Sequence, residues 1–256
     1  MKAEFSEAAW PGPVSATAPT SGARVAESVA AGAVGAVLGG VLGGLIAPAV
    51  GWSAAVVVGT NGVISGWRRI YSWRRRDGWI AFVLDSTWNS APIVGSLLAH
   101  GIALVRHGDF EASLSTRQNR HVYRGGATLK KGYALTAGNV ISGAGDVDRP
   151  RRRRLITDHE DVHVWQSRWF GPIYPLVYGM WFVGGSVAGF FLWLRRRPKE
   201  RLGSLVESCA YYTNPFEWWA YSRDDHWPPS GKALGVGWRK AAVRPLAQLR
   251  AEREHR

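Results

Sequence analysis

At 256 residues the chain has room for one large domain or two small ones, and 46% of its residues are hydrophobic. Its 32 Lys and Arg outnumber 19 Asp and Glu, giving a formal net charge of +13. Those arginines gather at Arg68-Arg69, Arg74 to Arg76, Arg151 to Arg154 and Arg195 to Arg197, at or near the ends of apolar runs; this argues against nucleic acid and for anionic headgroups. A lone cysteine, Cys209, excludes an intrachain disulfide.

In chain order, residues 1–27 are rich in Ala, Pro, Ser, Thr and Gly and lack the bulky side chains of a core, which predicts a disordered tail. The apolar stretch starts too late, and the first residues are too weakly basic, for a signal peptide. Residues 28–67 carry no charge and match a hairpin of two spans of about 20 residues each, turning near Ala47 to Gly51. Gly35, Gly39 and Gly43 recur every fourth residue, a small-residue stripe through which helix backbones approach closely, including those of partner membrane helices.

Residues 68–108 read as a basic linker followed by a pair of interfacial or re-entrant helices. The apolar run Trp79 to Val105 is interrupted by Asp85, Asn89, Pro92 and His100, which are costly against lipid. Asp85 and His100 fit polar residues at the water boundary, or extra metal or proton-relay groups. Residues 109–148 change character. Short alternating runs broken by glycine, such as His121 to Arg124 and Tyr133 to Thr136, predict three or four short strands in β-hairpins, one ending at Asn139 to Ile141.

Residues 149–227 carry the most informative pattern, His159-Glu160-Asp161-Val162-His163. Four residues are a little more than one helical turn, so the two imidazoles share a face and can hold one metal ion. Glu160 falls where its carboxylate can accept a proton from a metal-activated water. A helix over Leu155 to Arg168, N-capped by Thr157 or Asp158 and ending at Gly171-Pro172, is expected. Ile173 to Leu194 is uncharged and long enough to cross a bilayer. A catalytic zinc needs a third protein ligand, and Glu217 in Asn214-Pro215-Phe216-Glu217-Trp218-Trp219-Ala220-Tyr221 is the first choice; His226 is the rival. The Trp-rich pieces fit interfacial anchors and packing, and Cys209 a small apolar filler. Residues 228–256 form a basic C-terminal tail.

Over roughly residues 119 to 225 the chain resembles the gluzincin metallopeptidases, in particular integral-membrane ones, in which an apolar segment follows His-Glu-x-x-His and a later helix supplies a glutamate. With Gln166 completing His-Glu-x-x-His-x-x-Gln, it is also similar to bacterial families of unassigned peptidases. The resemblance implies Zn2+ as cofactor, His159, His163 and Glu217 as metal ligands, and Glu160 as general base. Asp161 adds a carboxylate where active members are normally uncharged. Tyr221 stands where an Asp often orients the first histidine, leaving Tyr221, Asp224 and Asp225 as candidates for that supporting role.

The sequence-level expectation is a mainly α, polytopic membrane protein with a Gly-rich transmembrane hairpin, a small β region and a zincin-like helix followed by membrane segment 173–194. It would be multi-pass in a bacterial cell membrane, with a peptide or protein substrate hydrolysed near the membrane surface and no nucleic-acid partner. The alternative is a non-enzymatic membrane scaffold or complex subunit with a degenerate site.

Overall fold

A computed structural model describes residues 20–130, 132–196, 199–224, 227–244 and 252. It is mainly helical, 64% helix, with a small mixed sheet and three helices long and apolar enough to cross a membrane. In chain order these are α1 (Ser21–Gly44), α2 (Pro48–Arg68), α3 (Arg76–Ser86), α4 (Ser90–Val105), α5 (Ala112–Ser115), β1 (His121–Val122), β2 (Leu135–Ala137) and β3 (Val140–Ser142). There follow α6 (Pro150–Arg154), a π-helical turn (Leu155–Glu160), α7 (Asp161–Phe170), α8 (Ile173–Arg196), α9 (Leu202–Glu207), a second π-helical turn (Ser208–Tyr212) and α10 (Pro215–Arg223).

The hairpin begins at Ser21 rather than Ser28, because Thr20 caps the helix by accepting from the Ala23 amide at 3.3 Å. Of the two charges this brings into α1, Arg24 and Glu27, the second is matched inside the fold: Glu27 accepts from Arg69, Trp73 and Arg117 at 2.6–3.0 Å. Residues 1–19 of the expected tail lie outside the described residues. Gly35, Gly39 and Gly43 do not form a free face for partner helices. They are buried inside the chain, where a Cβ on Gly35 would meet the Val58 carbonyl oxygen at 3.3 Å and one on Gly43 the Val50 carbonyl oxygen at 2.9 Å. The stripe therefore joins the two arms of the hairpin, gaining dispersion contacts between backbones.

α3 and α4 form the expected broken pair, bent by 93° at Thr87 to Asn89. The polar residues at the break face protein rather than water. Asp85 is fully buried and accepts two hydrogen bonds from Arg168 of α7, at 2.9 and 2.8 Å, with further donors in Tyr71, Asn89 and Asn139. Asn139 also reaches Asn61 of α2, and Ser167 reaches Asn89, so a buried polar network ties the hairpin, the bend, the sheet and α7 together. Four donors and a fully opposed charge meet the cost of burying the Asp85 carboxylate. His100 is also buried, bonded to the Tyr123 hydroxyl at 2.7 Å. Neither residue lies at a water boundary or among the metal-ligating residues, contrary to both sequence-level readings.

The β region contains three strands in the order β1-β3-β2. β2 and β3 form the expected hairpin about Gly138, whose φ of +55° suits glycine, with Thr136 opposite Ile141. β1 pairs parallel to β3, and no strand forms at Ala127 to Leu129. Val122, Ile141, Ala144, Val147, Ile156 and Val164 build the core between the sheet and the rod of α6, the π turn and α7.

Candidate metal centre

The His-Glu-x-x-His segment lies within an unbroken rod from Pro150 to Phe170, so neither Thr157 nor Asp158 caps a helix start. The Leu155–Glu160 stretch is wound as a π turn, with i→i+5 pairing that widens the helix locally, and three successive side chains, Asp158, His159 and Glu160, are buried there. α7 then carries His163 inward and ends at Gly171. A Cβ on Gly171 would lie 2.5 Å from the Trp88 indole nitrogen, at a φ of +52°, so this position is open to glycine alone.

Glu217 comes from α10. Asn214 caps that helix by accepting from the Phe216 amide at 3.0 Å, Pro215 begins it, and Glu217 falls in its first turn. His159, His163 and Glu217 are 2%, 5% and 2% exposed. Their ligand atoms converge. Nε2 of His159 lies 3.3 Å from Nε2 of His163 and 3.5 Å from Oε2 of Glu217, while Nε2 of His163 lies 3.3 Å from Oε1 of Glu217. This buried cluster is one that could hold a metal ion, all its ligand atoms lying within 4.8 Å of one another.

Burial by itself pushes the His163 imidazole down, but the charge of Glu217 and its hydrogen bond, with Glu160 beyond, overcome this and carry it up to about 9. Burial likewise pushes Glu217 up, and the two histidines more than offset it, holding the carboxylate below its usual range. Burial and the Glu217 charge together raise the Tyr221 and Tyr211 hydroxyls, which keeps them neutral.

The supporting groups differ from those expected. Nδ1 of His163 meets Oε1 of Gln166 at 2.8 Å, and the Gln166 amide donates to the Phe216 carbonyl at 3.0 Å, linking α7 to α10. Tyr221 touches His159 only through its ring, with centroids 4.4 Å apart at 68°, and its hydroxyl pairs with that of Tyr211 at 3.5 Å. Nδ1 of His159 has no hydrogen-bond partner among the described residues. Asp224 accepts from Arg151 at 2.9 Å; Asp225 and the rival ligand His226 lie outside the described residues. Asp161 is an ion-pair partner of Arg120, which accounts for a charge at that position without assigning it to the metal cluster. Glu217 is not paired with Arg223 but takes a hydrogen bond at 2.8 Å from Tyr178 of α8.

Glu160, 7% exposed, accepts from the Thr136 hydroxyl at 2.7 Å. Thr136 sits on β2, an edge strand of the sheet, so the sheet fixes one carboxylate oxygen of the residue between the histidines. A cleft of about 820 Å³ lined by Arg124, Tyr133, Arg149, Arg151, Arg152 and Leu155 opens on the same side of the rod as the sheet loops. Its wall at Leu155 is one helical turn before His159, and the three clustered residues do not line it.

Four groups at this centre escape the sequence reading. Gln166 was visible as part of the octet, three residues after His163, but without a role. Tyr174 and Tyr178 are spaced by one turn on an apolar helix, and that spacing is the only signal they give; Thr136 gives none. No family model matches this chain, and no curated protein or solved structure is similar to it.

Proposed function

We propose that the protein is a multi-pass membrane zinc metallopeptidase of the gluzincin type, hydrolysing peptide bonds near the membrane surface. The observation that carries this reading is the convergence of the two Nε2 atoms on the Glu217 carboxylate. Atoms bound at about 2.0–2.1 Å to a tetrahedral zinc lie about 3.3–3.4 Å apart; the two Nε2 atoms are 3.3 Å apart, and each lies that close to one oxygen of Glu217, His163 to Oε1 at 3.3 Å and His159 to Oε2 at 3.5 Å. Two imidazole nitrogens and one carboxylate oxygen suit zinc better than calcium or magnesium, which prefer all-oxygen shells. Three protein ligands leave a fourth position for water or substrate, the arrangement of catalytic rather than structural zinc sites.

When bound, zinc would supply Lewis acidity to polarise the scissile carbonyl and the attacking water. The chain's own residues do the rest. Glu160 accepts the proton from the attacking water and later delivers it to the leaving amine, with the Thr136 hydroxyl fixing Oε2 so that one oxygen carries the transfer. His159 and His163 hold their positions through the rod, and Gln166 holds the His163 ring. The membrane assignment rests on α1, α2 and α8, with Arg68, Arg195 and Arg196 at their ends.

The test is Glu160→Gln, assayed on purified detergent-solubilised protein with a quenched-fluorescent peptide library. Wild type should cleave members of the library, and the variant should keep its zinc while losing about 10²- to 10⁴-fold in rate. Cleavage that survives the substitution contradicts the role of Glu160. The near-complete burial of the cluster favours a second reading, a metal site in a non-enzymatic membrane scaffold, where zinc only fastens α7 to α10. Zinc-loaded wild type that cleaves no library member supports that reading.

A further inference from the structure

α8 has two unlike faces. Leu176, Met180, Val183, Val187 and Phe191 recur at spacings of three or four and are 52–67% exposed. Tyr174, Tyr178, Trp181, Gly185 and Gly189 repeat the same spacing two residues out of phase, so they lie on the opposite face. That inner face is seated on the segment that returns to α10. A Cβ on Gly185 would lie 2.4 Å from the Cys209 carbonyl oxygen, and one on Gly189 2.7 Å from the Val206 Cα; the Trp181 indole donates to Thr213 at 3.2 Å. Backbone contact this close fixes the rotation of α8 about its axis, and with it the direction of Tyr178.

Tyr178 donates to Oε1 of Glu217 at 2.8 Å. Oε2 of the same carboxylate is buried and makes no hydrogen bond among the described residues. Oε1 thus has a protein donor, with Nε2 of His163 at 3.3 Å beside it, while Oε2 has only Nε2 of His159 at 3.5 Å, too long for a hydrogen bond that would offset the cost of burying it. Resting on the metal-centre reading above, we infer that Tyr178 is a positioning residue. By holding Oε1 it restricts Glu217 to single-oxygen coordination through Oε2, and it makes the seating of a membrane-span candidate part of the metal site. Tyr174 serves as an internal contrast. Its hydroxyl is 3.3 Å from Nδ1 of His163, but that nitrogen already has Gln166 at 2.8 Å, so its loss leaves no ligand unsupported.

The experiment is cobalt(II) titration of the purified full chain, because cobalt takes the same donors and its visible absorption falls when a four-coordinate site becomes five-coordinate. Tyr178→Phe should still bind one cobalt per chain, about 10- to 100-fold more weakly, as for removal of other groups that hold a metal ligand. It should also lose visible absorption as Glu217 chelates through both oxygens. Tyr174→Phe should change affinity by less than about threefold and leave the spectrum intact. A Tyr178→Phe spectrum and affinity equal to wild type overturn the inference, as does equal weakening by both substitutions, which would mark general packing. Wild type that takes up no cobalt refutes the metal centre itself, an outcome distinct from either.

Discussion

Gln166 sets the chemistry of His163 at the level of single atoms. Its amide nitrogen is committed to the Phe216 carbonyl, so its oxygen faces Nδ1 of His163 and can only accept. Nδ1 therefore carries a hydrogen in either protonation state, and Nε2, which faces His159 and Glu217, is the nitrogen that would give up its proton to offer a lone pair to a cation. Gln166→Leu keeps the volume but frees the tautomer and cuts the tie to α10; zinc affinity, measured by competition with a chromophoric chelator, should fall about 10- to 100-fold. An affinity unchanged from wild type would show that the ring needs no such support. The convergence of His159, His163 and Glu217 was legible because the two histidines sit four positions apart on one helix and the glutamate follows a recognisable cap and proline. Tyr178 and Thr136 were not, since their relevance comes from approaches across 39 and 24 positions that no local spacing encodes.

At the scale of elements, glycine decides how closely helices can pack. On α2 a Cβ at Gly62 would sit 2.4 Å from the Ala31 carbonyl oxygen and one at Gly66 would sit 2.4 Å from that of Glu27, whereas Gly44 at the end of α1 has nothing within 4 Å. Gly62→Ala should therefore destabilise the detergent-solubilised protein by about 1–3 kcal/mol in thermal or denaturant unfolding. Gly44→Ala serves as the benign control, and equal stability of the two variants would contradict the packed hairpin. The two arms, their turn and the broken helix pair could be read from charge-free length and from polar interruptions. The destination of those interruptions could not. Asp85 reads as a boundary residue because its partner, Arg168, lies 83 positions away on α7, and a buried bidentate pair looks in sequence like two unrelated charges. The π turn was equally hidden, since Leu155 to Phe170 has the composition of an ordinary helix.

For the whole molecule, the net charge of +13 and the apolar helices divide the labour. Arginines sit at helix ends and in the 820 Å³ cleft, apolar side chains clothe α1, α2 and α8, and a compact polar network joins the hairpin to α7. This arrangement puts the His159–His163–Glu217 cluster at the start of α8, where Tyr174 and Tyr178 of its first turns reach His163 and Glu217. Loss of the cluster should leave the helical framework standing, because the hairpin and the Asp85–Arg168 network do not pass through His159, His163 or Glu217. The most direct measurement is metal content by mass spectrometry of protein purified at neutral pH and dialysed against metal-free buffer, wild type beside His163→Ala. One zinc per chain in wild type, falling at least tenfold in the variant while helical circular dichroism is retained, is the predicted result. Less than about a tenth of an equivalent in wild type, or a content indifferent to His163, would contradict a shared metal at this site.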